Sequence, residues 1–198
     1  MENKKFELVK EDSIEIDGFK LYRIRALKDF YVVKAGDIGG YVEHEGCLSH
    51  EGYAWVYDDA KVFNGAKIIE NGRIAHNAIV CGGSTVKDFA AVLNSAVVKH
   101  YSTVEGEAEV GGDAVVDASD VCDNARVFEG ANVHSHSVVK GYSSVSGNAT
   151  INEGFISGVS VVTNNAYVGK GCHLNSVELY GSTVVAGEQR LSNTRIGL

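Results

Sequence analysis

The chain has 198 residues and a net charge of −8, with 44% hydrophobic and 22% charged residues, enough for one good core. No uninterrupted apolar run is long enough to span a bilayer. The acidic balance carries no basic stripe, which leaves no basis for direct contact with the phosphates of DNA or RNA.

The N-terminus, Met-Glu-Asn-Lys-Lys, is followed by a mixed polar strand and shows no secretory signal. Ser13 to Arg25 alternates apolar and polar residues around Asp17-Gly18, which predicts a β-hairpin. Gly36 to Gly46 then feeds the repeats, so residues 1–50 are expected to form an N-terminal β cap. From Val56 to Val116 an aliphatic residue falls on every sixth position: Val56, Val62, Ile68, Ile74, Val80, Val86, Val92, Val98, Val104, Val110 and Val116. Four residues after most of them comes a small one, such as Ala60, Ala66, Gly72, Ala78 and Ser84. A fixed period of this kind signals a solenoid. Helical amphipathicity would need spacings of three and four. The series resumes one residue early at Val121 and runs to Ile151. Ser157 then sits in phase but is polar, and further slips precede Val162 and Leu179. Turn-forming pairs such as Asn64-Gly65 and Gly82-Gly83 lie between beats, so the unit is a very short strand and a corner. No proline occurs, so no ladder donor is lost.

An aliphatic residue, three others, a small residue and one more, as in Val56-Tyr57-Asp58-Asp59-Ala60-Lys61, resembles the hexapeptide pattern of left-handed parallel β-helices. The resemblance implies an all-β fold of about eight coils, each of three hexapeptides. It places the helix at residues 51–191, with 192–198 as a C-terminal tail. The opening segment, Leu21 to Phe30 with Gly36 to Val42, resembles small phage- and prophage-borne hexapeptide proteins. That resemblance implies a site of action in the host cytoplasm, and a reducing cytoplasm is also the plain reading of four cysteines (Cys47, Cys81, Cys122 and Cys172) without metal-type spacing. No metal site is expected.

Three sets of residues are candidates for function. Glu105, Glu107, Glu109, Asp113, Asp117, Asp120, Asp123 and Glu129, against Arg126 alone, form an acidic girdle about one coil long. It is either a solvated surface or a patch for a basic host protein or nucleoprotein complex. Phe63, Ile79, Cys81, Val97 and Val115 share an outward face. Such an apolar stripe should be covered by the N-terminal segment or by another copy of the chain, so a homo-oligomer is expected. Relatives in the hexapeptide superfamily include acyltransferases that use acetyl-CoA or a longer acyl-CoA and a histidine base. That resemblance makes His100, His134 and His136 the candidate catalytic residues, with acyl-CoA as cosubstrate. An ordinary polar corner residue is the plainer reading of each. The favoured expectation is a rigid binding protein that needs no cofactor, and the acyltransferase is the alternative.

Overall fold

A computed structural model describes residues 4–197. Residues 1–3 of the expected cap and residue 198 of the expected tail lie outside the described residues. Strands β1 (Phe6–Ile16) and β2 (Phe19–Ala26) form an antiparallel hairpin. Its turn is Asp17-Gly18, both at positive φ (51° and 80°), the twist that a two-residue hairpin requires. β2 pairs antiparallel with β3 (Ile38–Val42), and β3 pairs parallel with Lys61–Val62. From there the chain is a parallel β-solenoid of about nine turns.

The solenoid has three faces. The first begins with β3 and descends through Lys61–Val62, Ile79–Val80, Val97–Lys99 and Val115–Asp117 to Val184–Val185. The second begins where Leu48 bridges Ile68, and the third begins at Trp55–Val56. The second and third faces are linked by the strand His173–Leu179, which pairs in parallel along its length with Arg190–Ile196. Among the described residues the helical content is one 3-10 turn, Glu45–Cys47.

The six-residue beat is the core. Every beat residue from Val56 to Val116 is fully buried, and the small residues between them line the corners. Many corners turn on a single residue in the left-handed region, among them Asp58, Glu70, His76 and Asp88. The register slips are corners shortened by one residue, at Ala118, Glu153 and Ser176, each at positive φ. This corrects the expectation at Ser157. The slip falls before it, so Ile156 fills the aliphatic column and is fully buried. Ser157 is half-buried and its hydroxyl donates to the Leu174 carbonyl at 3.1 Å. That coil is packed like its neighbours.

At the corner between the first and second faces, serines stand where alanine would suffice. The Oγ atoms of Ser84, Ser102, Ser119 and Ser137 accept the backbone N–H of Ser102, Ser119, Ser137 and Gly154 in turn, at 3.1–3.2 Å. The result is a buried hydroxyl ladder parallel to the backbone ladders, with its donors satisfied coil by coil.

The hairpin closes the start of the rod, where open strand edges need a cover. Phe6 and Phe30 meet the Trp55 ring edge-on at 6.4 and 5.3 Å. Gly39 and Gly40 allow β3 to lie against the first coil, since a Cβ on either would come within 2.5 Å of a carbonyl oxygen. Arg23 stacks on Tyr41 at 4.0 Å and donates to the Asp58 carbonyl at 2.7 Å and to Asp59 at 3.0 Å. The buried Lys5 amine donates to the carbonyls of Ala54, Glu51 and Gly52 at 2.8, 3.4 and 3.5 Å, which satisfies the first turn's otherwise unpaired acceptors.

Burial, helped by the nearby charge of Lys28, pulls the Lys5 pKa from 10.5 to about 8. Between these values the unfolded chain keeps a proton that the folded chain has released. The contribution of this group to stability is therefore lowest below about pH 8 and rises as pH climbs toward 10.5. Urea unfolding from about pH 7 to 11 should show the wild type gaining on Lys5→Met across that window. A pH-independent gap between the two proteins would contradict this.

Candidate functional site

The corner between the first and second faces changes length along the rod, and this shapes a notch. At Gly82-Gly83 and at His100-Tyr101 two consecutive residues take positive φ, with His100 at 55° and Tyr101 at 63°. One coil further the corner is a single residue, Ala118 (φ 47°), and after that Ser135-His136 (61° and 63°) again supply two. The shortened corner is recessed between two longer ones. The hollow, about 280 Å³, is lined by His100, Tyr101, Ala118, Ser119, Asp120 and His136. Holding non-glycine residues there costs on the order of 1–2 kcal/mol each. Gly83 accommodates the Tyr101 ring, which would lie 2.6 Å from a Cβ at that position.

Asp117 is the hub of this corner. Its Oδ1 lies 2.7 Å from Nδ1 of His100, and its Oδ2 lies 3.4 Å from the Lys99 amine. In register it stands between Lys99 and His134 on the neighbouring rungs. Partial burial works to raise the Asp117 pKa. The hydrogen bond from His100 and the charges of Lys99 and His100 outweigh it, and the net result is a carboxyl held below its ordinary value. Its oxygens fix the His100 ring through Nδ1 and leave Nε2 as the ring nitrogen that could move a proton. The His100 side chain is 62% exposed, so water reaches it. His134 faces outward, with Nδ1 2.9 Å from the Ser135 hydroxyl. Of the three candidate histidines, the fold brings His100 and His136 to one hollow and leaves His134 beside it on the first face.

The acidic residues circle the rod. Asp117 lies on the first face, Glu105 and Asp120 on the second and Glu109 on the third. Glu107 and Asp123 occupy the corner between the second and third faces, and Asp113 and Glu129 the corner between the third face and the first. Five of the eight are held in place. Glu105 pairs with Lys87 at 2.7 Å, Glu107 accepts from Asn124 at 2.9 Å, and Asp117 is fixed as described. Asp123 and Glu129 accept the backbone N–H of Gly141 and Gly147 from the coil beyond, at 3.0 and 2.5 Å. Burial first, then the charges of Asp123 and Glu105, push the Cys122 thiol up to about 11, so it stays protonated at neutral pH.

The apolar stripe divides in two. Phe63 is buried under the hairpin with Leu21 and Tyr41, and its ring centroid lies 5.4 Å from that of Phe19. Ile79 and Cys81 pack against the same cluster, and Val97 and Val115 are half-buried farther along.

A second hollow was not foreseen from the sequence. The turn Phe30–Val33, closed by reciprocal backbone bonds of 3.0 and 2.9 Å, projects Tyr31 and Val32 over the third face, both more than 60% exposed. Tyr31 meets Tyr53 at 5.6 Å between ring centroids. Tyr31, Tyr53, Asn71, Arg73 and Phe89 line a recess of about 170 Å³. It continues into a shallower one of about 490 Å³ that includes Tyr57, Leu93 and Glu109. Burial raises the Tyr57 phenol pKa, with the Arg73 charge opposing it. Trp55 is buried under the cap, and Tyr57 is half-buried at the rim of the recess.

No protein-family model matches the chain, and no curated protein matches it. Among the described residues no helix is long and apolar enough to cross a membrane. One group, Glu43, His44 and Cys47, brings its ligand atoms within 4.8 Å of one another. Glu43 already accepts the Asn64 N–H, His44 the Gly46 N–H, and Cys47 is fully buried.

A carboxyl with a depressed folded pKa stabilises the fold above its unfolded value, about 3.9, and loses that contribution as pH falls through the folded value. Asp117→Asn should therefore flatten the acid limb of stability below about pH 4. An acid limb identical to that of the wild type would show that the His100 and Lys99 contacts do not persist in solution.

Proposed function

We propose that the chain is a non-catalytic, rigid binding protein, a left-handed β-helix of the hexapeptide type that presents its acidic girdle to a basic partner. The observation that carries this reading is the fixing of the girdle. Five of its eight carboxylates are held by a neighbouring side chain or by the backbone of the next coil. Charges already locked in place lose little conformational freedom on association, and a like-signed array favours fast encounter with an oppositely charged surface. Because the acids run round all three faces, a partner must wrap the rod or meet one edge of it. The likeness of the opening segment to phage-borne hexapeptide proteins makes a host defence component, such as a nuclease complex, the partner class to test. The place of action is then the host cytoplasm.

Native mass spectrometry of protein gently purified from bacterial lysate tests this directly. A bound basic host protein, lost at high salt and absent from the variant carrying E105K, E107K and E109K, is the expected result. Undiminished capture by that variant would remove the girdle from the account.

The His100–Asp117 pair favours a second reading, acyl transfer from acetyl-CoA or a longer acyl-CoA. Asp117 would hold the ring while Nε2 takes a proton from the acceptor hydroxyl or amine, and the acyl group would pass from sulfur to that atom as the thiol of CoA leaves. The exposure of His100 weighs against it in a single chain, since water would compete for the acyl group. A second copy covering the hollow, from the homo-oligomer expected of such rods, would be needed to dry it. Thioester cleavage with a panel of hydroxyl and amine acceptors should be abolished by His100→Ala if this reading holds, and the absence of cleavage in the wild type would end it.

A further inference from the structure

We infer that the recess between the Phe30–Val33 turn and the third face is a binding site for a small aryl anion, a planar ring bearing one carboxylate or phosphate. Three observations converge on it. The Arg73 side chain has neither a salt bridge nor a hydrogen bond among the described residues, although acids outnumber bases by 26 to 18 in the chain. Arg23, Arg25 and Arg195 are paired with carboxylates, and of the arginines unpaired among the described residues, Arg73, Arg126 and Arg190, only Arg73 lines an aromatic recess. An unengaged guanidinium at the junction of two hollows is a ready partner for an anionic group, which it can hold through two parallel hydrogen bonds.

The walls are aromatic and spaced by the solenoid. Tyr53 and Phe89 project from the same corner two coils apart, with Asn71 between them, and both are exposed by half or more. Two rungs are about 9.6 Å. That is the room one ring needs to stack on both, at about 4.5–5 Å between centroids on each side. Asn71 is held in place by accepting the Tyr53 N–H at 3.1 Å.

The third wall is held under strain. Tyr31 takes φ 48° at the tip of a two-residue turn, a position where Asn or Gly is at ease and a bulky ring is not. The turn is anchored beneath by Phe30 against Trp55 and by the buried Val33. The fold thus holds two apolar side chains, Tyr31 and Val32, in water, Tyr31 beside Arg73 in the smaller recess and Val32 over the adjoining hollow that also holds Asp58 and Glu109. Of the girdle acids only Glu109 borders this site, in the adjoining hollow, and His100 lines a different one.

Titration followed by calorimetry and amide NMR should use phenyl phosphate and phenylacetate in parallel. Inorganic phosphate supplies the anion without a ring, and 2-phenylethylamine supplies the ring with the opposite charge. At least one aryl anion is expected to bind and to shift the amides of Tyr31, Tyr53, Asn71 and Phe89. The tighter of the two identifies the anionic group preferred. Arg73→Gln should weaken it at least tenfold and Phe89→Ala several-fold. Both residues are exposed, and an unchanged amide spectrum elsewhere would confirm that the variants are folded. No binding by either aryl anion, affinity unchanged in Arg73→Gln, or equal affinity for inorganic phosphate or for the amine would each overturn the inference.

Discussion

Parallel pairing of each coil on the next is the constraint from which everything else here follows. Strands separated by 17 or 18 residues lie in register, so a side chain that points inward in one coil forces its counterpart inward in all of them. A sequence can meet that demand only by repeating, which is why the aliphatic beat hardly falters. It also makes the molecule nearly one-dimensional: each coil touches the coils before and after it, and stability accumulates by neighbours rather than around a single centre.

What varies is the corner. Straight rungs leave little freedom, and the chain spends its irregularity at left-handed residues between them. Histidines, acids and tyrosine occupy positions that glycine or asparagine would take at lower cost, and several repay part of that cost by accepting an N–H from the coil beyond, as Asp58 does for His76 and His76 for Asn94. The removal of one residue at Ala118 keeps the core in phase and recesses the surface. A notch between His100 and His136 is the geometric result, and the buried serine column behind it keeps every displaced donor satisfied.

Most of the architecture was legible because its signals are periodic. Asp17-Gly18 named the hairpin turn and the beat named the column. The phase after Ile151 was not legible, because Glu153 carries no turn signature and a missing corner residue leaves Ile156 and Ser157 equally placed on the count. The coupling of Asp117 to His100 escaped for a related reason. It depends on which residues meet one coil apart at a corner of altered length, and in the sequence Asp117 is only one acid among eight. The hairpin's hold on Phe63, Ile79 and Cys81 was half legible, since the stripe demanded a cover and Ile14, Ile16 and Phe19 were there to supply it. The aromatic recess was out of reach, because Tyr31 and Val32 come from a non-repeating turn whose docking on the third face leaves no trace in spacing.

The alternation of inward and outward positions divides the chain's information into two texts. About two residues in each six-residue beat, the aliphatic and the small one, write the shape, and the rest write the surface. The surface text can be rewritten almost freely without disturbing the other. Such a protein can change what it touches quickly while its form stands still, so ancestry in this architecture fades from the sequence long before it fades from the shape.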